Sequence, residues 1–259
     1  MDNLSYVAFI CLTASLILML PLMEKKTRRV MLFMIIGIFS CLFISEINGF
    51  LLKAFHNDKS YVTTTITPIT EEIVKAIPLL YYAIVISDNR RSLTSNAFAI
   101  GVGFAVLENI VILTQNIENV TIIWSLMRGF GSGLVHGICT VMVGFGISYI
   151  KKRRKLFFCG TFALLSVAII YHGIFNMLVQ SSFQYAGILL PILTYIPVLL
   201  LTRKNIAKKS SLRRGIVYET EIYNKKHYIR AHGGCSYRCR FGADNRAFSR
   251  RKYCFYYRY

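Results

Sequence analysis

The sequence is poor in acidic residues: its 259 residues include 12 Asp and Glu against 31 Lys and Arg, which gives a formal net charge of +19. Most of the excess lies beyond Arg203, where the last 57 residues hold 16 basic and 3 acidic side chains. The remainder is close to neutral, unlike a folded domain with a basic nucleic-acid-binding face. The pattern predicts one domain over residues 1–202, a basic and possibly disordered tail over 203–259, and no nucleic-acid partner.

The cysteine and histidine patterns of common metal-binding and disulfide-rich proteins are also missing. No His-Glu-x-x-His sequence is present. Four of the seven cysteines lie in apolar stretches, where cysteine is most often a small hydrophobic residue. The other three lie in the tail near two histidines, in a spacing that matches no common zinc site: Cys235, Cys239 and Cys254, with His227 and His232. No disulfide framework is indicated.

Apolar residues, in contrast, are abundant: 54% of the chain is hydrophobic and the mean hydropathy is +0.48. Seven stretches are long enough to cross a hydrocarbon layer of about 30 Å. They lie near residues 5–22, 30–52, 66–86, 94–114, 128–150, 156–179 and 184–202. The first has neither a basic n-region nor a small-residue cleavage pattern, so we expect it to be retained as a span. The composition predicts an all-α, polytopic membrane helix bundle of about seven transmembrane helices.

The short loops between these stretches differ in basic charge. Basic clusters follow the first, third and fifth stretches, at residues 25–29, 90–91 and 151–155, and the tail follows the seventh. The alternate loops hold few basic residues. Because basic loops stay on the cytoplasmic side, the N-terminus is predicted outside and the tail inside, close to anionic lipid headgroups.

The third stretch contains an unusual cluster of charges, Glu71-Glu72-Ile73-Val74-Lys75. Each charge within a bilayer costs on the order of 3 kcal/mol, so three in five residues predict a functional site. Glu71 and Lys75 share one helix face, and Glu72 points about 100° away. Thr67-Pro68 has the pattern of a helix start, which would place both carboxylates near a helix N-terminus.

Other spans hold polar residues at a similar predicted depth in the outer leaflet. At 1.5 Å per residue, Glu71 lies roughly 8 Å, Glu108 roughly 10 Å, and His136 and His172 roughly 12 Å from the outer ends of their spans. Asn176 lies one turn shallower than His172. Gly129, Gly133 and Gly137 recur every four residues, which predicts a close helix contact near His136. For His136 or Asn176 alone, a helix-packing hydrogen bond is an equally plain explanation.

This set of side chains fits hydrolysis of an amide, which needs an activated water, oxyanion donors and a proton for the leaving amine. Glu71 could take a proton from water, His172 and Asn176 could donate to the oxyanion, and His136 or Glu108 could orient the water. The same side chains suit zinc, with Glu71, His136 and His172 as ligands. The residues alone leave open whether the cofactor is Zn²⁺ or none, and whether Glu71 or Glu72 is the base.

Four short motifs together resemble a known family. They are Glu71-Glu72-x-x-Lys75, Phe104-x-x-x-Glu108-Asn109, Arg128 with His136-x-x-x-Thr140, and His172-x-x-x-Asn176. In this order, over about residues 66–180, they resemble the PrsW family of intramembrane proteases, which shares a superfamily with the CAAX prenyl endopeptidases and bacteriocin-processing proteins. The serine of Phe130-Gly131-Ser132-Gly133 lacks the glycine of a rhomboid-type Gly-x-Ser-Gly pattern, and no pair of intramembrane aspartates suggests a presenilin-like site.

The resemblance implies a multi-pass protease of a bacterial or archaeal plasma membrane that cleaves a membrane-tethered protein, such as an anti-sigma factor, near the extracytoplasmic face. Its catalytic residues would be Glu71, Glu72, Glu108, His136, His172 and Asn176. Lys75, Asn109, Arg128 and Thr140 would support them. By analogy with the prenyl endopeptidases, Glu71 is the base, but those enzymes have histidine where Glu108 stands, so prenyl-protein processing is not carried over.

Two alternatives remain at this stage. A proton- or ion-coupled transporter also uses clusters of carboxylates, lysine and histidine, although no internal repeat of the transporter kind is visible. A non-catalytic immunity or binding protein could retain the same fold.

Overall fold

The computed structural model describes residues 3–56, 58–116, 118, 121–187, 189–197 and 223. The chain divides into two units, Met1–Leu201 and Thr202–Tyr259. Of the second unit only Tyr223 is described, so the predicted tail and its Cys235–Cys239 segment lie outside the described residues. Within the described part the secondary structure is helical and contains no strand, which confirms the predicted all-α class.

Seven α-helices are bounded as follows: α1 Asn3–Met19, α2 Lys25–Ala54, α3 Lys59–Tyr61, α4 Thr67–Val85, α5 Arg90–Gln115, α6 Ile122–Ile147 and α7 Thr161–Val179. A 3₁₀ turn, Leu20–Leu22, follows α1, and π-helical segments precede α4 at Val62–Ile66 and α7 at Leu156–Gly160. Residues 184–187 and 189–197 are also helical. Side-chain caps fix several starts: Asn89 accepts from the backbone N–H groups of Arg91 and Ser92, and Thr121 accepts from that of Trp124.

Four of these helices are long and apolar enough to cross a membrane: Lys25–Ala54, Arg90–Gln115, Ile122–Ile147 and Leu156–Val179. The predicted first span corresponds to a shorter apolar helix, Tyr6–Leu22. The predicted third span corresponds to α4, which contains Glu71, Glu72 and Lys75. The predicted seventh is described only in part. A multi-span membrane protein is therefore confirmed, whereas the count of seven and the outward N-terminus stay predictions.

Helix α5 lies between α2 and α6 at very short backbone distances. A Cβ on Gly101 would lie 2.3 Å from the carbonyl oxygen of His136 on α6, and a Cβ on Gly37 of α2 would lie 2.1 Å from that of Ile100. Only glycine fits at such contacts. The expectation for the α6 glycines was wrong at two positions, because a Cβ on Gly129 or Gly133 would meet nothing within 4 Å. The contact that positions His136 is made by Gly101 of α5.

The α4 segment begins at Thr67 with Pro68 in its first turn, as predicted, but Thr67 is not an N-cap and no free helix N-terminus lies there. The chain is already helical at Lys59, where Asp58 accepts from the backbone N–H of Tyr61, and it continues through the π turn into α4. The N–H of Thr67 bonds to the carbonyl of Val62, five residues back, and this wider turn lets the helix pass Pro68, which has no N–H. Glu71 consequently lies roughly three turns inside a continuous helical segment.

The apolar core lies beside the charged residues of α4. Leu79, Ala97, Ile100, Val135 and Cys139 are fully or almost fully buried where α4, α5 and α6 meet. A second cluster joins α2 to α5 through residues such as Ile38, Ile44 and Phe104. These packed helices hold the polar side chains described next in fixed positions.

Candidate active site

The two adjacent carboxylates of α4 face different partners, although both are buried. Glu72 Oε1 accepts from Lys75 Nζ at 2.6 Å and from His172 Nδ1 at 3.0 Å. Glu71 Oε2 lies 3.7 Å from His172 Nε2 and 3.8 Å from His136 Nδ1, and it has no hydrogen-bond partner among the described residues. Glu72 Oε2 is likewise buried without a partner among the described residues, but Glu72 is held through Oε1 by two donors, whereas the Glu71 carboxylate has no hydrogen bond there and faces two histidines.

Lys75 is completely buried and links the acidic and imidazole groups. Its Nζ lies 2.6 Å from Glu72, 3.9 Å from Glu71 and 2.9 Å from His136 Nδ1. It also lies 4.6 Å from the centre of the Phe104 ring, at cation–π distance. The lysine shares a helix face with Glu71, as predicted, but its short ion pair is with Glu72.

The hydrogen-bond partners assign the proton on each histidine ring. Because an ammonium group can only donate, His136 Nδ1 accepts from Lys75, and its Nε2–H donates to Glu108 Oε2 at 3.0 Å. His172 Nδ1–H donates to the Glu72 carboxylate, so neutral His172 has its lone pair on Nε2, on the side of Glu71. The two rings meet edge to face at 4.7 Å between centroids.

Glu108 receives three groups from one face of α6. Ser132 Oγ donates to its Oε2 at 3.0 Å, His136 donates to the same oxygen, and Arg128 lies 3.6 Å from Oε1. These three residues are spaced by four along the helix, which is the spacing that aligns side chains on one face. Ser132 was considered only as a nucleophile from the sequence, yet its spacing from Arg128 and His136 was a usable signal for this role.

The remaining candidates contribute less directly. Asn176 Nδ2 donates to the backbone carbonyl of Thr63 at 3.0 Å. This carbonyl is free to accept because, in the π turn, the Thr67 N–H bonds to the carbonyl of Val62 instead. Thr140 Oγ1 donates to the backbone carbonyl of His136 at 2.7 Å, a bond within α6. Asn109 Oδ1 is buried without a hydrogen-bond partner in the described part of the chain.

Two adjoining cavities reach this cluster. One, of about 290 Å³, is lined by Glu71 and Glu108 together with residues of α2 and of the segment before α4. The other, of about 630 Å³, is lined by Glu108, Arg128 and Asn176. Both are of the size that peptide or small-molecule sites commonly have. Glu71 and Glu108 are the two carboxylates of the cluster on the wall of the smaller cavity, and of these two only Glu71 has no hydrogen bond among the described residues.

The charges of the cluster do not balance within the described residues. Three carboxylates, of Glu71, Glu72 and Glu108, face two cations, of Lys75 and Arg128. One further positive charge, as a proton or a cation, would compensate the surplus.

Three side chains of the cluster could hold a metal ion. Ligand atoms of Glu71, His136 and His172 all lie within 4.8 Å of one another, and all three residues are buried. Two imidazoles and one carboxylate are a common ligand set of catalytic zinc, and the unpaired Glu71 oxygen fits such an ion. His136 Nδ1 accepts a hydrogen bond from Lys75. This bond has to break before His136 Nδ1 can bind a metal ion.

Two comparisons with known proteins found similar sequences. A family model described as PrsW family intramembrane metalloprotease matches residues 25–202. The chain is 25% identical over 170 residues to a protein named Protease PrsW from Clostridioides difficile (strain 630), an alignment that covers 61% of this chain and 70% of that protein. No solved structure matches.

Proposed function

The chain belongs to the PrsW family of intramembrane proteases, and from this membership and the site geometry we propose that it hydrolyses a peptide bond of a membrane-tethered protein with water activated by Glu71. One observation carries the assignment of the base. Glu71 Oε2 is buried, has no hydrogen-bond partner among the described residues, and belongs to a residue on a cavity wall beside two imidazoles. Family membership gives no support to the transporter alternative.

Glu71 rather than Glu72 acts as the base in this proposal. Glu72 Oε1 already accepts from Lys75 and His172, and Glu72 lines neither cavity, so it holds those two groups in place. A water in the smaller cavity can reach Glu71, donate a proton to its carboxylate and attack the carbonyl carbon of the substrate. The attack forms a new C–O bond and leaves negative charge on the former carbonyl oxygen.

The proton then has to reach the departing amine. His172 Nε2 lies 3.7 Å from Glu71 Oε2 and has its lone pair free, so it can take the proton while Glu72 stabilises the resulting imidazolium through Nδ1–H. This is the role that a buried carboxylate has beside a catalytic histidine in other hydrolases. The imidazolium protonates the amine nitrogen as the C–N bond breaks.

The oxyanion needs hydrogen-bond donors that do not move during the reaction. Asn176 gives one N–H of its amide to Thr63, and it lines the larger cavity, where the second N–H can serve this purpose. Arg128 lines the same cavity and adds positive charge there. Lys75 and Glu108 act on the reaction through His136, whose ring orientation they fix from both sides.

The family description includes a metal, and the donor set suits one. When bound by Glu71, His136 and His172, a zinc-type ion would supply Lewis-acid polarisation of the water or of the substrate carbonyl. A metal on His172 would use the Nε2 lone pair, so the proton transfers assigned above to Glu71 and His172 belong to the site in which these side chains are not ligands.

The expected location of the reaction follows from the loop charges. With the N-terminus outside, the cluster lies in the outer leaflet of a cell membrane, and the substrate is a protein tethered in that membrane. The basic tail then lies on the cytoplasmic side near anionic headgroups.

The direct test is cleavage of a candidate substrate in co-expression with the full chain. Glu71→Ala or His172→Ala is expected to abolish processing, and full activity in either variant would refute the assigned site. A chain of the same fold without catalysis would process nothing in any variant. Metal analysis of purified protein, together with a chelator test of cleavage, measures the contribution of an ion.

A further inference from the structure

The two cavities beside the cluster meet along a common wall. Four residues line both, namely Lys59, Thr63, Thr67 and Glu108. Glu71 lines the smaller cavity only and Asn176 the larger only. A peptide bond brought to Glu71 therefore has one flank directed into the smaller cavity. The chemistry of that cavity acts on the substrate residue next to the bond that is cut.

The smaller cavity is bounded on one side by a single face of α2. The lining residues of that face recur at helical spacing and are Cys41, Ile44, Ser45, Asn48, Gly49 and Leu52. Val62 and Phe104 add apolar surface, Lys59 is the one basic residue of the lining, and most of the exposed wall is apolar. A volume of about 290 Å³ is near the lower end of the range for ligand pockets. Such a space suits one apolar side chain together with the attacking water.

Gly49 is the position on this wall with free space beside it. A Cβ built there meets no other heavy atom within 4 Å, and the residue is exposed. The neighbouring wall positions on α2 have side chains, so the missing side chain at Gly49 leaves the cavity wider at this level. Glycine in the interior of a helix is otherwise less favourable than alanine.

We propose that the smaller cavity receives an apolar substrate side chain adjacent to the cleaved bond, and that Gly49 determines how large that side chain can be. This inference depends on the proposed protease function. It adds a substrate class, proteins with a bulky aliphatic or aromatic residue at the cleavage site, and a residue that sets the preference without taking part in the chemistry.

The experiment measures cleavage-site preference with the purified full chain in lipid nanodiscs. The probe is a pool of synthetic peptides with about 20 apolar residues to span the bilayer and a randomised segment at the outer end, and cleavage sites are read by mass spectrometry. The wild type is expected to favour Leu, Met and Phe at one position next to the cut. Gly49→Leu, which fills the cavity, is expected to shift that position to Gly, Ala and Ser, with at least a tenfold loss at Phe.

Two further variants keep the result interpretable. Gly160→Leu is the matched control, since a Cβ there also meets nothing within 4 Å and the residue lines neither cavity; its preference should equal that of the wild type. Leu52→Ala enlarges the same cavity and should increase cleavage beside the largest side chains, which decides the question if Gly49→Leu proves inactive. If Gly49→Leu cleaves with the preference of the wild type, the inference is overturned while the protease function stands. The same holds if Gly49→Leu is inactive and Leu52→Ala keeps the preference of the wild type. Absence of cleavage by the wild type would instead refute the protease function itself.

Discussion

Lys75 Nζ lies 2.9 Å from His136 Nδ1, so a lysine on α4 and a histidine 61 residues later on α6 share a hydrogen bond in the centre of the helix bundle. The bond determines which ring nitrogen of His136 holds the proton and thereby directs Nε2–H at Glu108. It also places a positive charge next to a nitrogen that a metal ion would use. Lys75 is thus both a structural partner of the carboxylates and a competitor of a metal.

Replacing Lys75 by methionine should destabilise the protein and strengthen metal binding. Breaking a buried ion pair by removing one partner costs about 3–5 kcal/mol, because Glu72 is left unpaired. Excess zinc should restore part of that loss, since His136 Nδ1 is freed and the positive charge beside it is removed. Thermal unfolding in detergent, with and without zinc, measures both effects.

The matched control for this variant is Lys152→Met. Lys152 pairs with Asp88 at 3.6 Å, but its side chain is half exposed, so its loss should cost no more than about 1 kcal/mol. Zinc should not change its stability. Equal unfolding temperatures of the two variants would contradict the central position assigned to Lys75.

Glutamine substitutions should separate the roles of the two adjacent glutamates. Glu71→Gln should reduce cleavage by about 10²–10⁴-fold and leave stability nearly unchanged, since Glu71 Oε2 has no hydrogen-bond partner to lose among the described residues. Glu72→Gln weakens two hydrogen bonds to charged or polarised donors and should cost about 1.5–3 kcal/mol. Cleavage rates and unfolding curves of both variants are compared at equal protein amounts. If the Glu72→Gln protein is stable but inactive and the Glu71→Gln protein is active, Glu72 and not Glu71 is the base.

Asn176 is expected to stabilise the π turn before α4. Removing its donor in Asn176→Ala leaves the Thr63 carbonyl unsatisfied, at a cost of about 1–3 kcal/mol. Hydrogen exchange of residues 59–67 should become faster in this variant. Asn116→Ala is the comparison, because Asn116 Nδ2 donates to Ile112 at an exposed position, and exchange at 59–67 should stay at the wild-type rate. Unaltered exchange in Asn176→Ala would leave the oxyanion as its sole role.

A pair of glycine variants tests the helix contact behind His136. Gly101→Ala places a methyl group 2.3 Å from the His136 carbonyl oxygen, so α5 and α6 must separate, and both unfolding temperature and cleavage should fall. Gly133→Ala meets nothing within 4 Å and should be neutral or stabilising by up to about 1 kcal/mol. Similar behaviour of the two variants would show that the short contact at Gly101 relaxes without consequence.

The predicted orientation is open to direct measurement. Reporter fusions or cysteine labelling near Lys155 and beyond Arg203 should report the cytoplasmic side, and labelling at Glu118 should report the outside. The opposite result would place the carboxylate cluster in the inner leaflet and move the proposed cleavage to the cytoplasmic face.

Much of the site was accessible from the sequence. Charged residues within apolar helices are costly, so Glu71, Glu72 and Lys75 stood out without any structural information. The order of the motifs predicted the family, and the family match confirms it. Apolar length predicted the helices, because a backbone within lipid has to satisfy its own hydrogen bonds. The count of seven spans, the orientation and the tail stay predictions.

Other features could not be obtained in this way. Helical periodicity allows Lys75 to pair with Glu71 at i, i+4 or with Glu72 at i, i+3. Only the structure shows that the short pair, at 2.6 Å, forms with Glu72, while Glu71 lies 3.9 Å from the lysine. The glycines of α6 form a regular pattern, yet only Gly137 of the three packs closely against α5, where Gly101 is its counterpart, and Gly129 and Gly133 meet nothing within 4 Å. Asn176 has a motif position, but its partner is a carbonyl freed by a π turn that no pattern in the sequence indicated.

The sequence by itself determined which side chains are present at membrane depth, and hence the helical class, the family and the chemistry they can perform. Only the tertiary structure decided which of them meet, which nitrogen of each histidine holds the proton, and which of the two adjacent carboxylates lines a cavity. The physical reason is that spacing along a helix fixes which residues share a face. The distance from that face to a residue on another helix depends instead on how closely, and at what rotation, the two helices pack.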